Sequence, residues 1–440
     1  MNKTIGKYRW TICGLVFFAT TVNYLDRAVI SLLKPYLAES FKWSAVEETA
    51  IYADIEMAFK LSYAIGMLFA GRLIDKLGTK IGYALATGLW SIAAVAHAFA
   101  KGGFGLGVAR VFLGITESGN FPAAIKATAE WFPKKERALA TGIFNSGANI
   151  GAIVAPLSVP LIAESWGWQW AFILTGITGI IWLILWFIFY EVPRMHKKLS
   201  VDELAYIESD KDEVVAEQPA EEKKEKVSWG KLLTYKQTWA FAIGKFITDP
   251  IWWFYLFWLP DFLRKEYGLT KTEIMWPVAI VYIISSIGSI GGGWLPLKLI
   301  NNNWTVFKAR RTSMLIYAFC VLPILMVQWL GSINMWLAVL IIGLAAAAHQ
   351  AWSANIFTTV SDMFPKKTTA SVTGIGGLAG GLGGVLLTLL VQKQMFVYYE
   401  SIGQIKTGYF IMFIICGVAY LSAWLIMKAL VPKHKPITDL

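Results

Sequence analysis

The sequence predicts an all-α membrane protein with twelve transmembrane helices, arranged as two pseudo-symmetric halves of six helices each. Three observations lead to this fold class. The 440 residues are 56% apolar and only 16% charged, whereas a soluble domain typically has about 25% charged residues. The apolar residues fall into long stretches, and one segment of the first half of the chain reappears in the second half.

Twelve apolar stretches are long enough to cross a bilayer, which takes roughly 20 mainly apolar residues in a helix. They are much longer than the alternating segments of about 10 residues that build a membrane β-barrel. The stretches lie near residues 10–34, 48–71, 80–100, 104–127, 138–163, 168–190, 237–261, 272–297, 311–331, 334–358, 370–397 and 405–430.

A long polar segment separates the sixth stretch from the seventh. Residues 192–236 include the charged run EEKKEK at 221–226. This segment is expected to be a cytoplasmic linker loop that divides the chain into an N-terminal half, residues 1–191, and a C-terminal half, residues 237–440.

One part of this linker has the pattern of a helix. Ser200 and Glu203 precede LAYI with the spacing of a capping box, which favours a short amphipathic helix at the membrane face. Residues 208–228 are expected to be solvated.

The net charge of +11 would suit a nucleic-acid partner, but the positions of the charges favour another explanation. Basic residues concentrate in the loops on the side of both termini, as the positive-inside rule describes. Both termini are therefore expected to be cytoplasmic, and no nucleic-acid partner is expected. The loop residues are Arg72, Lys76, Lys80, Lys134, Lys135, Arg137, Lys298, Lys308, Arg310, Arg311, Lys366 and Lys367.

The sequence contains no pattern typical of a metal, cofactor or nucleotide site. Cys13, Cys320 and Cys416 lie in apolar stretches without paired spacing, so neither a disulfide nor a metal site is predicted. No phosphate-binding loop of the G-x-x-x-x-G-K-[ST] type is present. No metal cluster or nucleophile motif of an enzyme is found either. We expect no cofactor, with a proton as the coupling ion.

The internal repeat concerns the start of the fifth stretch of each half. WFPKKERALATGIFNSGANIGA at 131–152 reappears as MFPKKTTASVTGIGGLAGGLGG at 363–384, which aligns Pro133 with Pro365. Duplicated six-helix units commonly place a binding site between the two halves, near the bilayer midplane. Most glycines of the second copy are expected to allow close helix packing.

Charged residues inside predicted transmembrane helices need a reason, because an ionised side chain there costs about 2.5–3.5 kcal/mol on insertion scales; four of them stand out. Asp26 and Arg27 are in the first helix, and Arg110 and Glu117 are in the fourth. Adjacent helical residues point about 100° apart, so Asp26 and Arg27 should each find a partner on another helix. A functional site and a purely structural network of ion pairs are both compatible with this pattern.

The chemistry of these residues suggests a division of roles. Arginine stays protonated, and its planar fork fits a carboxylate bidentately, so Arg27 is the first candidate for holding an anion. Arg110 is expected either to help it or to hold an acid in place. Burial favours the neutral form of a carboxyl group, whereas a neighbouring guanidinium favours the charged form. Asp26 and Glu117 are therefore the candidate proton-binding residues.

Two buried lysines have acids at helical spacing. Glu56 lies four residues before Lys60, and Asp249 lies four residues after Lys245. An ion pair within the helix and a contact with the ligand both remain open for Lys60, as they do for Lys245.

Polar and aromatic residues in two other helices could contact the ligand or hold helices together. Asn145 and Asn149 lie one turn apart in the fifth helix. The tenth helix contributes His349, Gln350, Trp352 and Asn355. His349 could titrate near neutrality and join the proton pathway, but a lone histidine in a helix is more often structural.

Several motifs resemble those of known carriers. Gly71, Asp75, Lys76 and Gly78 in GRLIDKLGTK match the loop motif G-x-x-x-D-[RK]-x-G-x-[RK] of the major facilitator superfamily. NYLDRA at 23–28, RVFLGITESGNFPA at 110–123 and WFPKKERA at 131–138 resemble its anion:cation symporter family. GKFITDPIWWFYLFWLP at 244–260 and HQAWSANIFTTVSDMFPKK at 349–367 are similar to bacterial hexuronate transporters in particular.

The resemblance implies a function. A hexuronate such as glucuronate or galacturonate would be imported across the bacterial inner membrane by proton symport with alternating access. Asp26 and Glu117 would carry protons, and Tyr24 and Tyr63 match positions that contact sugar acids in related carriers. The loop motif would hold neighbouring helix ends in one conformation and release them in another. Coupling would lie in the N-terminal half, and the C-terminal half would select the sugar acid.

The same sequence features are compatible with other functions. The same fold could carry an aldonate such as galactonate, a dicarboxylate or another monocarboxylate, or it could be a membrane sensor without transport. A channel is also possible, although titratable pairs favour coupling. We expect a protein that contacts the lipid bilayer and works as a monomer, because one twelve-helix chain can form the whole pathway.

Overall fold

A computed structural model of the chain describes residues 6–209, 228–364, 366–433 and 437. Within these ranges every regular element is helical, and twelve long helices follow one another as predicted. The first six are α1 (Tyr8–Phe41), α2 (Ala45–Leu77), α3 (Thr79–Ala96), α4 (Gly103–Glu117 and Asn120–Trp131), α5 (Lys134–Trp166) and α6 (Trp168–Phe189).

Six more helices follow the polar segment. They are α7 (Lys236–Tyr267), α8 (Met275–Asn301), α9 (Val306–Val321, continued by Leu322–Met326 and Val327–Ile333), α10 (Met335–Met363), α11 (Lys366–Leu386, Leu387–Lys393 and Gln394–Ser401) and α12 (Ile405–Leu430). The predicted fold class is confirmed. Helices α1 and α12 place both chain termini at one end of the bundle, here named the terminal end, and the opposite end is named the distal end.

Nine of the helices in the described ranges are long and apolar enough to cross a membrane. Helices α2, α4 and α7 are the other three. Glycine and serine divide α4 at residues 118–119 into segments of 15 and 12 residues, and α2 and α7 carry charged side chains within their length. The three helices that are least suited to lipid are thus those that supply many of the buried charges.

Two glycines related by the internal repeat hold corresponding helices together. A Cβ atom at Gly151 of α5 would collide with the carbonyl group of Thr21 in α1, and one at Gly383 of α11 would collide with the carbonyl of Phe246 in α7. The alignment that pairs Pro133 with Pro365 also pairs these two glycines. The two halves therefore repeat one helix–helix contact, which accounts for the glycines at these positions.

The short linker helix forms at Val201–Glu208, and the Ser200 hydroxyl accepts from the Glu203 N–H at 3.2 Å. The Glu203 side chain does not complete the expected capping box. Its carboxylate instead accepts from the N–H groups of Tyr8 and Arg9, each at 3.1 Å, and so caps the first turn of α1. The predicted solvated segment lies mostly at 210–227, outside the described residues.

Candidate functional site

The centre of the first half is built around Arg27. Its Nε atom donates to a carboxylate oxygen of Glu117 at 2.7 Å, and both side chains are buried. The guanidinium carbon lies 4.8 Å from the ring centroid of Tyr24, 4.6 Å from that of Tyr63 and 5.7 Å from that of Phe59. Arg27 thus has its acidic partner on α4, and three aromatic rings from α1 and α2 surround it.

Arg110 lies against this group from α4. One of its terminal nitrogens donates to the Arg27 carbonyl at 3.3 Å, and its guanidinium lies 5.4 Å from the Phe59 ring centroid. A Cβ atom at Gly114 would collide with the Ser62 hydroxyl oxygen and with the Phe59 carbonyl oxygen. The absence of a side chain at Gly114 therefore lets α2 approach α4 closely enough to bring Phe59 between the two arginines.

Several polar atoms at this centre are buried without a hydrogen-bond partner. They include one carboxylate oxygen of Glu117, one terminal nitrogen each of Arg27 and Arg110, and both carboxylate oxygens of Asp26. Asp26 lies near Thr175 of α6, but neither of its oxygens has a partner within 3.5 Å. Buried polar groups normally find partners, and exceptions call for an explanation such as a ligand or water. This centre can therefore accept donors and acceptors from a bound molecule.

Lys60 joins the two halves. Its ammonium group lies 3.2 Å from a Glu56 carboxylate oxygen, as the i, i+4 spacing predicts, and donates to the Thr388 hydroxyl of α11 at 2.7 Å. It also lies over the rings of Trp253 and Phe257 in α7, at 5.6 and 5.1 Å from their centroids. Lys60 thus forms an ion pair within α2 and also contacts the other half.

Thr388 occupies a local π-helical turn of α11, Leu387–Lys393. Its hydroxyl also donates to the side-chain oxygen of Gln392 at 3.0 Å, and the amide nitrogen of Gln392 is buried without a partner. Such turns often occur at functional sites, and this one brings Thr388 to Lys60 and Gln392 to Thr388.

The second buried lysine also pairs within its helix. The Lys245 ammonium lies 2.7 Å from an Asp249 carboxylate oxygen and 4.0 Å from the ring centroid of Phe357. A Cβ atom at Gly380 of α11 would collide with the Asp249 carboxylate, so a glycine there leaves room for the pair.

The polar residues of α5 and α10 occupy different environments. Asn145 is exposed, whereas Asn149 is buried and its side-chain oxygen has no partner. Asn355 donates to the Gly292 carbonyl of α8 at 2.6 Å and to the Ala351 carbonyl at 2.9 Å, which makes it a link between helices. A substrate contact through its free side-chain oxygen stays a prediction.

His349, Gln350 and Trp352 lie on one turn of α10. A ring nitrogen of His349 lies 2.6 Å from the Tyr420 hydroxyl, and its ring stacks on Trp252 at a centroid distance of 5.2 Å. Trp352 is fully buried, and its indole nitrogen has no partner. Gln350 is half-buried. These contacts support a structural role for His349, which was the alternative to a role in proton transfer.

The loop motif lies at the terminal end, between α2 and α3. Gly78 has a φ of +79°, which favours glycine, and Lys76 is exposed. Gly71 has no atom within 4 Å of an added Cβ. The Asp75 side chain lies outside the described residues, as do those of the basic loop residues Arg72, Lys134, Lys135, Arg137, Lys366 and Lys367.

An unforeseen pair of corresponding acids lies near this motif. Thr79 donates to Glu130 of α4 at 2.6 Å, and Tyr190, which follows α6, donates to the same carboxylate. The repeat pairs Glu130 with Asp362 of α10, which binds Arg310 of α9 at 2.6 Å.

Sequence reasoning missed several residues of the centre. Phe59, Trp253, Thr388 and Gln392 were not predicted, because neither an aromatic residue nor a threonine in a transmembrane helix is unusual. Asn23 lies one turn before Asp26 and is fully buried, with both side-chain polar atoms unpaired. It lies inside the NYLDRA motif, so a buried amide next to an intramembrane acid was the signal available.

Ion pairs close the distal end between the two halves. The Lys34 ammonium of α1 lies 2.9 Å from an Asp261 carboxylate oxygen of α7, and Arg264 of α7 binds Glu48 of α2 at 2.5 Å. Further contacts across the halves join Lys265 with Thr49, Lys271 with Glu39, and Lys393 with Asp54. The structure is therefore closed on this side of the charged centre.

The chain forms a twelve-helix membrane bundle with two repeated halves. It has a buried charged centre and is closed at one end, and these features together define a membrane transporter. The chain belongs to the Major Facilitator Superfamily, whose family model matches residues 16–388. It is 34% identical to the hexuronate transporter of Escherichia coli strain K12 over 391 residues, 89% of this chain and 88% of that protein. The predicted family is confirmed, and the chain is a transporter rather than an enzyme.

Other relatives and solved structures agree. The chain is 36% identical to the galacturonate transporter of Dickeya chrysanthemi over 289 residues, 66% of this chain and 81% of that protein. Among solved structures, a D-xylose–proton symporter superposes with a TM-score of 0.73 at 16% identity, over 98% of this chain and 100% of that one. At this identity the structural likeness shows the fold alone.

Proposed function

We propose that the protein imports a hexuronate, such as glucuronate or galacturonate, across a bacterial inner membrane by proton symport with alternating access. The observation that carries this proposal is the buried Arg27–Glu117 pair inside its aromatic cage. Support also comes from relatives at 34% and 36% identity that are named as hexuronate and galacturonate transporters.

Arg27 is proposed to hold the carboxylate of the sugar acid. Only its Nε atom is bonded to Glu117, and one terminal nitrogen is buried without a partner. A carboxylate offers two oxygens to a guanidinium fork, so the substrate can take this free donor and compete with Glu117 for the rest. Tyr24 and Tyr63, whose rings flank Arg27, would line the sugar acid.

Proton coupling follows from this competition. A buried carboxylate that loses its arginine partner is expensive to keep charged, so displacement of Glu117 by the substrate favours its protonation. Asp26 already lacks a hydrogen-bond partner, and it is the second proposed proton site. Substrate and proton would therefore occupy the centre together, without a cofactor.

The other half would recognise the rest of the sugar. Gln350, Trp352, Asn355 and Lys245 lie in that half, while Lys60 reaches it from α2. Asn145 and Asn149 are further candidates. Rocking of the two halves about this site requires the distal ion pairs to open, with the loop motif exchanging contacts at the terminal end. One chain supplies the whole pathway, so a monomer is proposed, with both termini in the cytoplasm and without a nucleic-acid partner.

The test is uptake of radiolabelled glucuronate and galacturonate by vesicles that contain the purified protein, with and without an inward proton gradient. The proposal predicts uptake that the gradient stimulates and that unlabelled hexuronate suppresses. Uptake without stimulation would contradict proton coupling, and the absence of hexuronate uptake would contradict the substrate.

A second candidate keeps the fold and changes the cargo. The D-galactonate transporter of Escherichia coli strain CFT073 is 27% identical over 394 residues, so an aldonate is the main alternative. Competition by galactonate that is stronger than competition by either hexuronate would favour it. Binding of sugar acid without any flux would instead favour the sensor alternative.

A further inference from the structure

A cleft opens at the terminal end of the second half, away from the charged centre. Its volume is about 540 Å³ when the part that is open to solvent is included. Its apolar surface comes from Phe307, Met314, Met363, Met427 and Val431, and Trp424 lies along one side. These residues belong to α9, α10 and α12 and to the residue that follows α12.

The polar residues of the cleft are mainly basic. Arg310, Arg311 and Lys428 line it, together with Thr359 and a single acid, Asp362. Asp362 neutralises only Arg310, through contacts of 2.6 and 3.4 Å. The cleft therefore keeps an excess of positive charge.

Arg311 and Lys428 account for this excess. Arg311 donates to the Pro432 carbonyl at 2.8 Å, so it lies at the C-terminal end of α12 and faces backbone dipoles rather than a carboxylate. The Lys428 side chain is exposed, and its ammonium lies 5.0 Å from the ring centroid of Trp424. Within the described part of the chain, no carboxylate is paired with either cation.

The acid that corresponds to Asp362 in the first half has different partners. The repeat pairs Asp362 with Glu130. Glu130 accepts from the neutral hydroxyls of Thr79 and Tyr190. An arginine thus pairs with this acid in the second half, whereas hydroxyl groups contact it in the first half.

Helix α9 begins and α12 ends beside the cleft, so in a bilayer we expect the cleft to lie where headgroups meet acyl chains. Its methionines and Phe307 offer flexible apolar contact, and the two cations stand at its polar edge. Basic pockets between transmembrane helices suit anionic headgroups. We propose that this cleft binds an anionic phospholipid, with its phosphate at Arg311 and Lys428 and the start of an acyl chain along the methionines.

The experiment uses the full chain purified in a neutral detergent. Phosphatidylglycerol is titrated against phosphatidylcholine, and binding is read as bound lipid in native mass spectrometry and as a shift of the melting temperature. Phosphatidylglycerol is expected to bind and to raise the melting temperature, whereas phosphatidylcholine has little effect. Lys428→Gln is expected to weaken phosphatidylglycerol binding about fivefold.

The chain provides a matched control for Lys428→Gln. Lys298 of α8 is also exposed, and its ammonium lies 4.8 Å from the Trp294 ring centroid with the same four-residue spacing, but it does not line the cleft. Lys298→Gln is expected to leave lipid binding unchanged.

Three results would overturn the proposal. Lys428→Gln could bind phosphatidylglycerol as well as the wild type, or Lys298→Gln could weaken binding equally, which would indicate diffuse attraction to surface charge. Inorganic phosphate could also raise the melting temperature as much as the lipid, which would indicate a site for a free anion. Because the readouts are binding and stability, the outcome is independent of which sugar acid is transported.

Discussion

At the scale of single residues, the geometry of one guanidinium decides much of the proposed chemistry. Arg27 is held by Glu117 on one side and by the rings of Tyr24 and Tyr63 on others. A planar, delocalised cation suits both a carboxylate and aromatic faces, whereas a lysine ammonium is a point charge with stronger hydration.

The first prediction concerns this preference. Arg27→Lys is expected to keep the charge but to lose the fork, and loss of a charge-assisted hydrogen bond costs about 1.5–3 kcal/mol. The apparent affinity for hexuronate should therefore fall about 10- to 100-fold, measured as the concentration that gives half-maximal uptake. Arg194→Lys is the control, because Arg194 forms an ion pair with Glu208 on the surface. An unchanged affinity in Arg27→Lys would refute the role assigned to this arginine.

The second prediction separates transport from coupling. Glu117→Gln keeps the shape of the side chain but cannot gain or lose a proton, and Asp26→Asn does the same at the other acid. Each variant is expected to exchange labelled for unlabelled hexuronate across the membrane while losing accumulation driven by a proton gradient. If both variants still accumulate substrate against its gradient, neither acid carries the coupled proton.

How far the site follows from the sequence depends on whether a contact is local. The pairs Glu56–Lys60 and Lys245–Asp249 could be predicted, because helical spacing alone brings them together. The partner of Arg27 could not, since it depends on how α1 and α4 are rotated about their axes.

At the scale of helices, close packing depends on glycines rather than on apolar bulk. Of the glycines in the second copy of the repeat, five meet a neighbour within 4 Å of an added Cβ: Gly376, Gly380, Gly381, Gly383 and Gly384. Gly374 and Gly377 meet none. The expected packing role thus holds for most of this set.

The third prediction tests such a contact in α5. A Cβ at Gly147 would collide with the Phe17 carbonyl of α1, so Gly147→Ala should force the helices apart and cost about 1–3 kcal/mol. A lower melting temperature in detergent is the expected result. Gly142 lies on the same helix with open space around it, and Gly142→Ala should stabilise the helix slightly. Equal effects of the two substitutions would contradict this explanation.

The sequence predicted all twelve helices but not their irregularities. Hydropathy identifies a helix from its average composition, whereas the break in α4 and the π-helical turn in α11 depend on local contacts with neighbouring helices. The capping of α1 by Glu203 was also unpredictable, because it joins residues that are remote in the sequence.

At the scale of the whole molecule, charge pairs hold one side of the bundle closed. Lys34 is 1% exposed and lies between Asp261 and the rings of Tyr52 and Trp258. Because this pair joins α1 to α7, it acts directly on the balance between the open and closed states of the distal end.

The fourth prediction concerns that balance. Lys34→Met keeps the length of the side chain and removes its charge, which should weaken the closed state by about 1.5 kcal/mol or more, equivalent to roughly a tenfold change in population. Spin labels on the α1–α2 and α7–α8 loops should then report longer distances in a pulsed-resonance measurement.

The control for this variant is an ion pair that stays within one half. Lys80 binds Glu191 at 2.6 Å at the terminal end, and Lys80→Met should leave the distal distances unchanged. Unaltered distances in Lys34→Met would show that this pair does not contribute to closure.

The sequence indicated the two repeated halves, and cytoplasmic termini stay a prediction from it, but it did not indicate which end of the bundle is closed. Closure depends on the free-energy difference between two packings of the same chain, which is small compared with the energy of folding. A sequence pattern therefore predicts the fold more readily than the conformation.

The matching glycines Gly151 and Gly383 lie at the same helix–helix contact in the two copies of the repeated six-helix unit. The two acids and two arginines of the centre, by contrast, lie on α1 and α4 of the N-terminal half alone. We expect directed evolution of new cargo to succeed with libraries confined to α7, α10 and α11, while the proposed coupling residues on α1 and α4 are left unchanged.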